Sequence, residues 1–329
     1  MKNDADDCVI FINGHELGGN TMRDYVILAD TSSDLSKEVR ERFGIEYIRS
    51  HVVMPDVSEA VGDLSWNVMP KEEFYASLRK KGTVYATSPA NVEEYAARFR
   101  EIIASGKDVL SISLSSALSG TYEFANEAAR MVSEEHPDAK IIAIDSLRYS
   151  GLLGLLIIHA AQLRAEGKTI DETAAWIEQN KNRFHQMGWM DDLKFLAAKG
   201  RLTNSKAFFG QLIGVKPVGE NDATGLTTVL GKAKGEKNAY EAILGYIAET
   251  SEKPEEQIIF ICNSCREKQA EAFRAMVEER FHPKEIIMQE LFLPNGINMG
   301  PGLMTAYYVG KPISEGLKEE TALMTRLLG

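Results

Sequence analysis

The stretch YVILADTSSDLSKEVRERFG, residues 25–44, decides how the chain is read. Tyr25 to Ala29 are apolar without interruption and Asp30 closes the run, the composition of a strand covered on both faces. Thr31 to Leu35 then bring hydroxyls and a carboxylate suited to capping a helix, and SKEVRERFG runs as that helix to a stop at Gly44. A covered strand, a polar turn and a helix in immediate succession form the repeating unit of an α/β protein with a largely parallel sheet.

Working outward, the unit recurs. IEYIRSHVVM (45–54) predicts the next strand, and PKEEFYASLRKKG (70–82) a helix opened by Pro70 and ended by Gly82. NVEEYAARFREIIASG (91–106) predicts a helix after a Thr-Ser-Pro turn, DVLSISLS (108–115) a strand, GTYEFANEAARMVSEE (120–135) a helix and KIIAIDS (140–146) a strand. Two consecutive helices follow, over 151–166 and 170–183. The pattern changes near Phe184 and His185, which divides the chain into an N-terminal extension (1–23), a first α/β domain (24–184) and a second (185–329). In the second, MGWMDDL (187–193) begins a strand and residues 194–214 form a helical stretch broken by Gly200 and Gly214. KPVGENDATGLTTVLGKAK (216–234) reads as a hairpin turning at Asn-Asp-Ala-Thr-Gly. A helix over 236–250, strands at 257–263 and 285–292, a helix over 266–281, the glycine-rich NGINMGPG (295–302) and an amphipathic final segment from Ile313 complete a mixed sheet with its helices.

Composition narrows the function classes. The 329 residues are 44% hydrophobic and 26% charged, a balance that excludes global disorder. With 37 Lys+Arg against 48 Asp+Glu, the net charge of −11 argues against a nucleic-acid or anionic-membrane surface. Three cysteines, Cys8, Cys262 and Cys265, are too few for a disulfide framework, and a cytoplasmic location is expected. The longest apolar run, GLLGLLIIHAAQL (151–163), is too short to span a membrane and reads as a buried helix. The N-terminus is acidic where a signal peptide would be basic.

Ligands of α/β sheets bind beyond the carboxyl ends of the strands, where helices present free N–H groups. Those ends are rich in hydroxyls: Thr31, Ser32 and Ser33; Thr87 and Ser88; Ser113, Ser115, Ser116, Ser119 and Thr121; Ser146 and Ser150. Singly, each is a helix cap. Together on one sheet edge they make a site for an anion such as a carboxylate or phosphate. Other chemistries lack support. There is no G-x-S-x-G elbow, no H-E-x-x-H, and GLTTVLGKA misses the phosphate-loop spacing and has Ala233 where a hydroxyl should hold magnesium. Cys262-Asn263-Ser264-Cys265 follows a strand and precedes a helix, a setting in which thiol-redox activity is physically conceivable.

Taken in order, the hydroxyl loops resemble the DegV family, whose members include the fatty-acid-binding subunit of bacterial fatty acid kinase. DTSSDL (30–35) matches the family's D-S-T-S-D-L, TSPANVEEY (87–95) its T-S-Q-P, and LSSALSGTY (114–122) its L-S-S-x-x-S-G-T/S-Y. DDLKFLAAKGRL (191–202) with GVKPV (214–218) matches D-D-L-x-x-L-x-x-G-G-R-I with I-K-P, and NMGPG (298–302) matches H-x-G-P-G. The similarity runs from Tyr25 to Ile313. It implies two α/β domains holding a buried fatty acid, with no catalytic residue, metal or cofactor of the chain's own. The carboxyl group would be presented to a separate ATP-using kinase subunit for acyl phosphate formation. By the family pattern the head-group donors fall on Thr87, Ser88, Ser115 and Ser116, with Asn298 in place of the family histidine. Arg201 and Lys234 fall on the head-group or kinase side, Lys234 where the family has arginine. Pro89-Ala90 replaces Q-P, and Lys199 the first glycine of G-G-R. Burying a chain of roughly 14 methylenes gains on the order of 11 kcal/mol, while an unpaired buried carboxylate costs several, so the head group must find donors. Two other readings stay open: the same fold binding a different amphipathic anion, and a thiol-redox enzyme using Cys262 and Cys265.

Overall fold

The computed structural model describes residues 23–202 and 214–329. β1 (Tyr25–Asp30) leads through a short 3-10 turn to α1 (Lys37–Phe43), whose N-terminus is capped by Ser36 and whose end is closed by Gly44 in the left-handed conformation. The apolar run at 45–54 is two strands, not one. β2 (Ile45–Ile48) pairs parallel to β1, the chain bends at Arg49, and β3 (Ser50–Val53) pairs antiparallel with β4 (Glu59–Gly62) and later with β5 (Ala86–Ser88). The Thr-Ser-Pro turn read before the third helix is therefore partly an edge strand of a small third sheet. This sheet and α2 (Lys71–Leu78) bury Val52, Phe74, Tyr75 and Tyr85 against Leu293 and Ile297.

α3 (Val92–Ala104) starts on a capping box formed by Asn91 and Glu94. β6 (Asp108–Ser113), α4 (Thr121–Glu135) and β7 (Ile141–Asp145) complete a four-stranded, wholly parallel sheet in the order β2-β1-β6-β7. Then come α5 (Ser150–Ala165) and α6 (Ile170–Asn180).

The second large sheet uses β8 (Phe184–Met190), and α7 (Lys194–Ala198) follows it. Residues 203–213 of the helical stretch expected over 194–214 lie outside the described residues, as does the extension up to residue 22. β9 (Val215–Asn221) and β10 (Thr227–Lys234) form the expected hairpin, and α8 (Gly235–Thr250), β11 (Ile258–Asn263), α9 (Glu267–Phe281) and β12 (Glu285–Glu290) follow as read. Besides β4, two elements have no counterpart in the sequence reading. α10 (Leu293–Met299) occupies most of the glycine-rich segment, with Pro294 in its first turn, and β13 (Leu303–Val309) inserts between β8 and β11. α11 (Lys318–Leu328) closes the chain. The strand order is β10-β9-β8-β13-β11-β12, with only the β11–β12 pair parallel, so the sheet is mixed as expected.

Between the two large sheets lies α5, apolar on nearly every side and buried along most of its length. One continuous core joins Ile27 and Ile112 of the parallel sheet, Leu152 to Ile158 of α5, and Phe260 and Tyr307 of the mixed sheet. Two glycines let the helix approach so closely. A Cβ on Gly154 would stand 2.7 Å from the Ser33 carbonyl oxygen and 2.8 Å from Leu35, and one on Gly151 2.5 Å from both Gln289 and Tyr307. Gly154→Val should therefore lower stability by about 2 kcal/mol or more, because overpacking here outweighs the helix-propensity gain. A urea unfolding midpoint equal to that of the unsubstituted protein would show that α5 is not clamped this way.

Candidate functional site

Three aspartates at or just beyond strand ends organise the loops above the parallel sheet. Asp30, buried, accepts the Ser32 N–H at 2.6 Å and the Leu114 N–H at 2.7 Å, tying the Thr31–Ser33 turn to the serine-rich loop after β6. Burial pushes its carboxyl group up, and these N–H bonds oppose the shift. Asp145 accepts the Ser116 and Leu147 N–H groups, both at 3.1 Å. Asp34, in the left-handed conformation at φ 51°, accepts from the Ser150 hydroxyl at 2.6 Å, the Asn295 amide at 2.6 Å and the Phe292 N–H at 3.0 Å. It thereby joins the first loop to the start of α5 and to α10. Burial raises its pKa to about 7 despite those three donors, with Glu290 adding to the rise.

These clamps frame a cleft of about 840 Å³, counting its open mouth. Thr31 and Ser32 line one side, Ser119 and Thr121 another, and Arg49, Ser50, Thr87 and Ser88 a third, with Arg201 from beyond α7 and Asn298 from α10 closing it. The Asn298 amide donates to the Thr87 hydroxyl at 3.3 Å and to the Pro294 carbonyl at 2.9 Å. Ser119 and Thr121 share a hydrogen bond of 2.8 Å, and Thr31 donates to Ser50 at 2.7 Å. Lys199 bonds the Tyr85 carbonyl at 2.9 Å, so the residue in place of the family glycine ties α7 to the small sheet.

Of the residues singled out from sequence, Thr87, Ser88, Asn298 and Arg201 meet in this cleft. Ser115 and Ser116 lie behind its wall. The Ser115 hydroxyl is buried without a partner beside Gly225, where a Cβ would come within 2.0 Å of it, and the Ser116 N–H is held by Asp145. The LSSALSGT loop meets the cleft instead through Leu114, Leu118, Ser119 and Thr121. Lys234 is exposed where β10 passes into α8 and does not line the cleft. A second cation does line it: Arg49, whose side chain is 64% exposed and 3.7 Å from Asp63. Reading 45–54 as one strand hid Arg49, although a charge inside an apolar run was the available signal.

A second, smaller cavity adjoins the cleft, about 360 Å³ counting the space open to solvent; it shares Leu196, Thr227 and Met299 with it and faces the mixed sheet through Met190, Val229 and Leu303. Gly188 and Gly219 stand opposite each other in the β8–β9 register on this face, leaving the sheet without side chains at its middle. The outer region is thus hydroxylic and the inner one mainly apolar.

The cysteine pair has the opposite character to a redox site. Both thiols are free; Cys262 is buried in β11 and Cys265 partly buried after it, and burial pushes both thiols up, away from the thiolate form that redox chemistry requires. Among the described residues no cluster of three or more His, Cys, Asp or Glu could hold a metal, and no helix is long and apolar enough to cross a membrane.

Fold and site together define an α/β protein of two large sheets and one small one, with an amphipathic cavity beside a central apolar helix. The DegV family model ("uncharacterised protein, DegV family") matches residues 24–311, and the chain belongs to that family. A DegV domain-containing protein of Clostridium perfringens is 31% identical over 88% of this chain and 98% of its own length. Among solved structures, a DegV family protein from Thermus thermophilus, described for its fatty acid binding, has a TM-score of 0.79 at 25% identity, covering 88% of this chain and all of that one. The Streptococcus pneumoniae fatty acid kinase (Fak) B3 protein, solved with linoleic acid, has a TM-score of 0.74 at 19% identity over 88% of this chain and all of that one, a likeness of fold.

The Asp34 clamp has a pH signature. Its folded-state pKa of about 7 lies above the unfolded value near 4, so between those limits only the folded state holds the proton. Its contribution to stability is therefore most favourable below about pH 4 and is lost as pH rises towards 7. Asp34→Asn should remove this component, so the difference in urea midpoint between the two proteins changes across pH 4–7 and levels off above it. A difference independent of pH would mean that Asp34 does not titrate there.

Proposed function

We propose that the chain is a fatty-acid carrier that presents the carboxyl group of a bound acyl chain to a separate ATP-dependent kinase subunit, in the cytoplasm and without catalysis of its own. One observation carries the reading: a cleft lined by hydroxyls, two amides and two arginines adjoins a mainly apolar chamber against the mixed sheet. Such a cavity suits one long apolar chain with one anionic end. Residues 24–184 and 185–329 act in this reading as two domains that enclose the ligand. The fatty acids named for relatives of the same fold support it.

The proposed head-group set is Thr87, Ser88, Ser119, Thr121 and Asn298, with Ser115 and Ser116 shaping the loop behind them. Neutral donors hold a carboxylate without burying its oxygens in a fixed ion pair, which leaves it nucleophilic towards ATP. Arg49 and Arg201 at the mouth are placed to meet the negative charge that phosphoryl transfer adds. The two arginines also favour a second reading, an amphipathic ligand with a phosphate head group.

Native mass spectrometry of protein made in bacterial cells tests the proposal. The expected result is the added mass of one free fatty acid. Thr87→Ala should cut palmitate affinity about tenfold, the scale of a lost charge-assisted hydrogen bond. Arg201→Ala should retain the acid but reduce acyl phosphate formation with the kinase. A lipid phosphate in place of the acid would favour the second reading, and protein that carries no lipid and takes up no palmitate would overturn both.

A further inference from the structure

Side chains along β8 alternate between the two faces of the mixed sheet. Phe184 and Met190 belong to the core around α5, whereas Met187 and Trp189 belong to the core on the far side. Gln186 therefore points to the α5 side, where it lines the inner chamber while being only 5% exposed. Its backbone N–H is fixed from the far side by the Glu220 carboxylate at 2.6 Å, but its side-chain oxygen has no hydrogen-bond partner.

The surroundings show where this amide stands. It adjoins the Tyr149 hydroxyl, which in turn bonds the Thr227 hydroxyl. Tyr149 and Thr227 line the outer cleft, and Thr227 and Gln186 the inner chamber, so the three polar groups form a short chain at the throat between the two. Their neighbours on this face are Gly188, Met190, Val229, Leu303 and Thr305, whose hydroxyl is already committed to the Ala306 carbonyl at 3.3 Å. A plain methylene chain passing here would leave the amide acceptor buried and unpaired, the costly case for a polar group. Leucine or methionine at 186 would serve such a chain better.

We infer that the throat is built for an acyl chain carrying a hydroxyl group close to its carboxyl end, with Gln186 as the residue that recognises it. The inference rests on the fatty-acid reading above. A hydroxyl both donates and accepts, so it pairs with whichever amide atom of Gln186 is left free by Tyr149, and the conclusion does not depend on the amide's orientation. Because the polar chain sits between the outer cleft and the inner chamber, the hydroxyl it would bind belongs near the carboxyl end and not at the tail, and the third carbon is the position to test. A site built to bond a ligand hydroxyl discriminates against the ligand that lacks it through its own unpaired group.

Displacement of a fluorescent fatty acid from the full chain, with palmitic, 3-hydroxypalmitic and 16-hydroxypalmitic acids as competitors, tests this. The 3-hydroxy acid should bind about tenfold more tightly than palmitic acid, and the 16-hydroxy acid no more tightly than palmitic acid. Gln186→Met, similar in volume, should abolish the preference while holding palmitic acid at least as well. Equal binding of palmitic and 3-hydroxypalmitic acids by the unsubstituted protein, or a Gln186→Met variant that keeps the preference or weakens both acids alike, overturns the inference and leaves the carrier reading standing. Failure of every acid to bind overturns both.

Discussion

Everything in this molecule depends on hiding α5. A helix apolar on nearly all sides has no face to offer water, and its burial needs a layer on each side. The parallel sheet covers one flank and the mixed sheet the other, Gly154 bringing the helix against the first loop and Gly151 bringing it against β12 and β13. Once α5 is enclosed, the carboxyl edge of the parallel sheet is held against α10 and the open face of the mixed sheet. The cavity is the space left where the two layers meet beyond the helix.

A cavity framed by loops keeps its shape only if the loops are tied together. Asp30, Asp145 and Asp34 do this by accepting N–H and O–H groups from neighbouring loops, α5 and α10. Arg148 plays the cationic counterpart. Fully buried, and drawn down to about 10 by that burial, it donates to the carbonyls of Lys181, Leu147 and Asp222 and so fastens the end of β7 to the hairpin turn between β9 and β10. Asp34, Asp145 and Arg148 stay in the framework, whereas Asp30 also lines the cleft, whose other polar groups are hydroxyls, the amides of Asn295 and Asn298 and the two arginines.

How far the site could be read in advance follows from the range of each signal. Thr87, Ser88 and Asn298 were accessible because each sits in a short motif at an element's end, and local motifs survive in one dimension. Ser115 and Ser116 share such a motif with Ser119 and Thr121, but which hydroxyl of a turn faces a cavity depends on backbone direction, which composition does not encode. Arg49 was hidden by a register question, since a strand-like stretch of ten residues is equally compatible with one long strand and with two short ones in different sheets. Gln186 carried no signal at all, because a single polar residue in a strand says nothing about what it faces.

The alternation of apolar runs and amphipathic helices was enough, from residue order alone, to establish an α/β chain with a parallel first sheet, a buried helix at 151–163 and a hydroxyl-rich strand edge. Those features are local: they arise from periodicity, capping and turn chemistry within about 20 residues. The tertiary structure alone decided that β13, near the end of the chain, lies in the middle of the mixed sheet, that α10 brings Asn298 to Thr87, and that Arg49 and Arg201 share one mouth. Such pairings join residues far apart along the chain, from 41 positions between Asn263 and Met304 to 211 between Thr87 and Asn298. They are selected by the packing of whole layers around α5, and no property of the local sequence can specify them.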